Sequence, residues 1–214
     1  MQNNIAESPQ DYLPYLYLSR LYITLGKNDT KSPYNDLALK ADNEALKISP
    51  TFVRTYYEVG QAYLNKGDLE NSFIWFEKAQ KLQPDVALTY WYMGSVRYQI
   101  ALQKKDIAGI KEAAGYYKIA LAKGYKISES DGQKLVNIFV QLDDMDGVIA
   151  MLQQLTVNIP TDAQYWSSLA AAYAKVGRTQ EALATARKLI ELFPNDVAIK
   201  ADAEQFIRSL GETP

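Results

Sequence analysis

This sequence predicts an all-α fold built as a stack of helical hairpins, and three observations lead there. Prolines recur 34 residues apart, at Pro50 and Pro84 and again at Pro160 and Pro194. Ahead of two of them, "YYEVGQAYLNKGDLENSFIWFEKA" (56–79) and "YWSSLAAAYAKVGRTQEALATARKL" (165–189) align on an aromatic, a small residue and a tyrosine. Within each stretch, apolar residues fall at i, i+3 and i+7, which marks one face of an α-helix. A 34-residue period of this kind is the mark of a repeat architecture.

The aligned positions explain how one unit folds. Tyr56 or Trp166 is followed by Val59 or Leu169, then Gly60 or Ala170, then Tyr63 or Tyr173. Gly67 or Gly177 ends the first helix, and a second helix carrying Ser72 or Ala182 runs on to the proline. Small residues let the two helices approach closely, and the rings fill the space beside them. One hairpin cannot bury its own apolar face, so the units must stack.

Five units span about 12–194. The first, about 12–52, opens at Asp11 as helix cap with Pro14 in the first turn, and carries Tyr15, Leu18, Ser19, Tyr22, Gly26, Ala38, Ala45 and Pro50. It holds seven extra residues in "GKNDTKSPYND" (26–36), whose turn formers read as a loop. The second, 53–86, is the most regular. The third, about 87–128, also has seven extra residues, but "VRYQIALQKKDIAGIKEAAGYY" has no strong breaker before Gly109 and reads as longer helices. The fourth, 129–162, keeps apolar Leu135, Phe139, Val148, Leu152, Leu155 and Pro160 without the small residues, and the fifth is 163–194. A last amphipathic segment, about 196–210, reads as a helix capping the array. Asp85, Asp162 and Asp196 stand at helix starts, where they suit caps or first turns. Asp42, Arg97, Val136 and Leu155 depart from the pattern, and Asp42 puts a carboxylate where a large apolar side chain belongs.

The motif residues resemble the tetratricopeptide repeat, most specifically in 53–86 and 163–194. The resemblance implies one right-handed superhelical α-solenoid over 1–214, and a non-enzymatic scaffold that binds a peptide or protein segment in a concave groove lined by first helices. Carried over position by position, the groove residues are Arg20, Arg54, Tyr57, Gln61, Asn65, Trp91, Ser95, Tyr98, Gln99, Asn137 and Gln141. In "TYWYMG" (89–94) the three rings cannot share one helix face, since successive residues turn by about 100°. Tyr90 aligns with Tyr56 and Trp166, Tyr92 lies toward the neighbouring unit, and Trp91 becomes the expected groove anchor with Tyr57 and Tyr98 beside it. Family members that grip the carboxylate tail of a chaperone use basic and amide side chains, and this sequence has Leu16, Arg20, Glu58, Leu88 and Tyr92 at those positions. An EEVD-type tail is therefore not the expected partner.

Composition narrows the chemistry. There are 23 basic and 25 acidic residues with no long basic run, so nucleic acid is not an expected partner. The chain has no cysteine and no histidine, which removes thiolate metal sites and the commonest general base, and argues against an enzyme. No cofactor or metal is expected; "DDMDG" (143–147) reads as turn chemistry rather than a calcium loop. No apolar run is long enough to cross a membrane, and the polar start MQNNIAESPQD has no signal-like core. Compartment stays open. Two alternatives remain beside the peptide groove: the soluble repeat-bearing part of a larger bacterial membrane-linked polysaccharide ligase or polymerase-like protein, and a glycan-binding groove.

Overall fold

The computed structural model describes residues 11–213, and the polar start lies outside the described residues apart from Asp11. Those residues form eleven α-helices and no strand. They group into two compact units, one up to Lys126 and one from Ile127. Unit 1 contains α1 (Leu13–Leu25), α2 (Pro33–Ile48), α3 (Val53–Asn65), α4 (Leu69–Leu82), α5 (Ala87–Lys104) and α6 (Ile107–Ala122). Unit 2 contains α7 (Glu129–Gln141), α8 (Met145–Asn158), α9 (Ala163–Lys175), α10 (Thr179–Leu192) and α11 (Val197–Ser209). Consecutive helices pair as hairpins, α1 with α2, α3 with α4, α5 with α6, α7 with α8 and α9 with α10, and within each unit these stack through α2 on α3, α4 on α5, α8 on α9 and α10 on α11.

Six turns solve the same problem in the same way. At Gly67, Lys105, Gly124, Asp143, Gly177 and Gly211 the backbone turns left-handed. There the following amide returns to a carbonyl in the last helical turn, as Asp68 N–H does to Tyr63 at 3.0 Å and Tyr125 N–H to Ala120 at 2.9 Å. "DDMDG" is therefore a turn: Asp143 takes the left-handed position, and Asp144 caps α8 by accepting from Gly147 N–H at 3.1 Å. Asp162 and Asp196 cap α9 and α11 in the same way, and Asp11 accepts from Leu13 N–H at 2.9 Å. Asp85 does not cap α5 but pairs with Lys123 at 3.1 Å.

The insertions divide as their composition suggests. In the first unit, Gly26–Ser32 is loop and α2 then begins with Pro33 in its first turn, where a missing N–H costs nothing. In the third, α5 has 18 residues against 13 in α3, and α6 has 16 against 14 in α4. The break falls at Lys105–Asp106, while Gly109 sits inside α6, held close under the Arg97 guanidinium.

Inside the hairpins a ring lies on a residue that lacks a side chain. A Cβ placed on Gly60 would stand 2.7 Å from the Phe76 ring, and one on Gly94 would stand 3.0 Å from Tyr117. The fourth hairpin reverses the pair. Phe139 on the first helix lies over Gly147 on the second, with 2.7 Å to a built Cβ, so the small residue missing from its usual place has moved across the hairpin.

The aligned aromatics of the motif share a second task. Tyr56 Oη donates to the Pro50 carbonyl at 2.6 Å, Tyr90 Oη to Pro84 at 2.9 Å, and Trp166 Nε1 to Pro160 at 3.0 Å. Each ties the start of a first helix to the proline that ends the preceding link. The 34-residue proline period and the aromatic six residues later are thus one structural device.

Gly60→Ala is expected to cost about 1–3 kcal/mol of stability in urea unfolding despite alanine's better helix propensity, because the added methyl meets the Phe76 ring. Combining it with Phe76→Leu should recover part of that cost. Strictly additive losses would contradict the contact.

Candidate functional site

In unit 1, the first helices α1, α3 and α5 are joined side by side through polar links. Asn65 Nδ2 donates to the Ile23 carbonyl at 2.9 Å, tying α3 to α1. Tyr57 Oη and Thr89 Oγ1 share a buried hydrogen bond of 2.6 Å, tying α3 to α5. The expected groove residues of this unit therefore fall on three adjoining helices, but they do not all face solvent.

Tyr57 and Trp91, expected as aromatic anchors, are each only 7% exposed. Burial raises the Tyr57 phenol above its ordinary range, while Thr89 pulls it back. Trp91 is covered by Tyr125, stacked at 4.4 Å with 13° between planes, and by Tyr117 at 4.8 Å. Tyr125 follows Gly124 in the turn that ends α6, so the chain itself occupies the ring face that a ligand would need. These two rings hold helices together. Tyr92 does lie toward its neighbour, stacked on Phe76 at 4.8 Å and 14°.

Arg20 and Arg54 converge on one carboxylate. Glu58 accepts from Arg54 Nε at 2.9 Å, and Arg20 Nε lies 3.5 Å from the same oxygen. The Glu58 side chain is nearly buried while both arginines are about half exposed. A buried carboxylate needs such partners. Gln61, Asn65, Ser95 and Tyr98 are half-buried and Gln99 is exposed; Ser95 accepts from Tyr117 Oη at 3.2 Å. In unit 2, Asn137 and Gln141 are exposed on α7.

Beneath the arginine pair lies a polar junction. Asp42 on α2 stands at the repeat position of Phe76, and Glu58 at that of Tyr92, so two carboxyls replace the ring stack of the next junction. Asp42 is fully buried beside the Ser19 hydroxyl, and neither of its oxygens completes a well-formed hydrogen bond; the Thr55 hydroxyl is buried without one as well. Burial pushes the Asp42 carboxyl up to about 8, Glu58 adds to the rise, and Ser19 opposes it.

Spacing alone did not point to a cleft of about 360 Å³ in unit 2. It lies between α9, α10 and α11, lined by Gln164, Ser167, Leu189, Ile199, Asp202 and Phe206. Gln164 and Ser167 stand at groove positions, but Ile199, Asp202 and Phe206 come from the capping helix. No cluster of three or more histidine, cysteine or acidic side chains fit to hold a metal occurs among the described residues. None of the described helices is long and apolar enough to cross a membrane.

The hairpins have known counterparts. Family models described as the tetratricopeptide repeat match residues 53–86 and 163–196. The chain carries tetratricopeptide repeats. Among solved structures, the Naa15/Naa10 complex bound to HypK-THB superposes with a TM-score of 0.71 at 19% identity, covering 93% of this chain and 29% of that one. YrrB, described as a TPR protein with an unusual peptide-binding site, gives 0.52 at 18% identity, covering 95% and 97%. Both likenesses are of fold alone, and YrrB is itself described as a TPR protein. By sequence, the chain is 35% identical over 86 residues to CcmH of Haemophilus influenzae, named for cytochrome c-type biogenesis, covering 38% of this chain and 17% of the relative. It is 26% identical over 165 residues to the human Superkiller complex protein 3, covering 74% and 10%. The chain thus spans 10–17% of the length of the curated relatives it matches.

Two outcomes are expected from variants here. Trp91→Ala should cost about 3–5 kcal/mol of folding stability, read by urea unfolding, as a buried large-to-small change does; a loss below about 1 kcal/mol would contradict its structural role. For Asp42, the folded carboxyl lies above its unfolded value. Below about pH 4 both states hold the proton, but between there and about pH 8 only the folded state does, so this group's contribution falls as pH rises. The melting temperature of the wild type should therefore decline relative to Asp42→Asn across that window. Parallel curves would contradict the assignment.

Proposed function

We propose that this chain is a non-enzymatic scaffold that holds an extended protein segment on the first-helix face of unit 1. Tetratricopeptide repeats are protein-interaction modules in general. The observation that supports the finer reading is the side-chain chemistry left at the surface once Tyr57 and Trp91 are assigned to packing. Gln61 and Gln99 offer amides on adjoining helices α3 and α5, beside half-buried Asn65, Ser95 and Tyr98, of which Asn65 and Ser95 are already engaged with Ile23 and Tyr117, and near the half-exposed arginines Arg20 and Arg54.

Amide side chains suit a peptide backbone because each supplies both a donor and an acceptor. An extended segment presents unpaired N–H and C=O groups along its length, so a row of glutamines and asparagines can bind it with limited regard to sequence. The arginines favour a segment carrying a carboxylate, although Glu58 already occupies part of their hydrogen-bonding capacity. Asn137 and Gln141 present the same chemistry on α7 of unit 2.

Selection of a random peptide library on the intact chain tests this directly. Peptides enriched on the wild type should bind Gln61→Ala and Gln99→Ala each roughly three- to tenfold more weakly, the size of one neutral hydrogen bond. Enrichment of no peptide, or affinities unchanged in both variants, would contradict the proposal.

A further inference from the structure

The junction of α9, α10 and α11 lacks the rings that close its counterpart in unit 1. Where α3, α4 and α5 meet, Phe76 is stacked on Tyr92 at 4.8 Å, and Tyr57 lies 6.4 Å from the same ring. By repeat register those three positions become Ala186, Asp202 and Ser167. Tyr117 and Leu152, 0% and 3% exposed, fill the position of Phe76 in the third and fourth hairpins, and only the fifth has alanine there. The cleft of about 360 Å³ lies in this junction. All its walls come from α9, α10 and α11, and the same junction in unit 1 is closed from within by α3, α4 and α5. The opening therefore follows from the side chains that these three helices carry.

The cleft has an apolar lining and a polar edge. Ala170, Ala186 and Leu189 are buried, while Ile199 and Phe206 are half-buried. Phe206 stands at the register of Ala62 and Val96, which are both 0% exposed, so part of its ring is left open to a guest. On the edge, Ser167 Oγ donates to the Ala163 carbonyl at 3.0 Å and Gln164 Nε2 to Ser168 at 3.4 Å, which leaves mostly acceptor capacity. Asp202 adds an exposed carboxylate. The cations of its own helix, Lys200 and Arg208, lie 4.0 and 3.8 Å from Glu204, and Asp202 makes no ion pair among the described residues.

We propose that this cleft is a docking pocket for one aromatic side chain of a partner protein segment, with a lysine or arginine next to that ring set against Asp202. The fold itself supplies the argument for a ring, because the corresponding junction of unit 1 closes on three of them. A guest ring recovers the burial that Ser167 and Ala186 forgo, and it meets Phe206 in the offset or edge-on geometry that aromatic pairs prefer. The volume is near the lower end of the roughly 300–1,000 Å³ of small-ligand pockets, which fits a single large side chain. Charge fixes the neighbour: an edge of acceptors around a free carboxylate favours a cation and opposes an acidic residue. The pocket is separate from the first-helix face of unit 1 and does not rest on it.

Titration of the isotope-labelled intact chain with N-acetyl-tryptophanyl-lysine amide, followed by amide chemical shifts, tests the proposal. Saturable shifts should appear at Ser167, Ala186, Ile199 and Phe206. N-acetyl-tryptophanyl-glutamate amide should bind about two- to fivefold more weakly, the size of one exposed ion pair, and N-acetyl-alanyl-lysine amide should not saturate. Ser167→Tyr, at an exposed position, restores the ring of Tyr57 and should abolish binding with helical circular dichroism unchanged. In Asp202→Asn the tryptophan–lysine and tryptophan–glutamate probes should bind within about twofold of each other. Gln61→Ala, on the unit 1 face, should bind as the wild type does. No saturable shift, shifts centred outside the cleft, or full binding by Ser167→Tyr would overturn the pocket. Equal binding of the lysine and glutamate probes by the wild type would overturn the role of Asp202.

Discussion

A ring seated on a residue with no side chain sets the distance on which much of this structure depends. Phe76 on Gly60, Tyr117 on Gly94 and Phe139 on Gly147 each draw two helices close enough to form one hairpin. Once drawn together, the pair still has an apolar flank, and burying it requires another hairpin. The proline carbonyls answered by Tyr56, Tyr90 and Trp166 then fix where the next first helix begins. Close approach, stacking and a pinned link follow from one short motif repeated with variations.

The variations make the hairpin junctions of unit 1 chemically unequal. Between α4 and α5 the contact is a stack of Phe76 on Tyr92. Between α2 and α3 the same two positions hold Asp42 and Glu58, and the cost of burying them is met differently at each. Glu58 stays near the surface, where Arg20 and Arg54 reach it. Asp42 is sealed in with the Ser19 hydroxyl and no basic side chain to balance it, and is driven to hold its proton. Aromatic burial drives the second junction, whereas the first keeps a group whose charging opposes folding. A weaker first junction would leave α1 and α2 less firmly docked than the helices after them.

Most of the fold was legible because helix faces and hairpin turns leave periodic marks. The prolines, the small residues and the i, i+3, i+7 pattern fall where the described helices and their turns lie. Even the third unit's extra residues read correctly as helix, because seven residues are nearly two turns. The site was less legible, for a reason that Trp91 and Tyr57 make plain. Register tells which side of a helix a residue occupies, but not whether something else lies over that side. Tyr125 comes back over Trp91 from beyond α6, and Thr89 reaches Tyr57 from the next hairpin. The cleft beside Ile199 and Phe206 was missed for the same reason, since the capping helix supplies half of its wall. Asp42 was visible as a departure from pattern, although its burial without a basic partner was not.

Unlike junctions hold the hairpins of unit 1, and native-state hydrogen exchange read by mass spectrometry at neutral pH tests this most directly. If the carboxyl-bearing junction is the weak one, amides in the middle of α1 and α2 should exchange through a lower-energy opening than those in α3 to α6. Equal protection across all six helices, or weakest protection in α5 and α6, would contradict it.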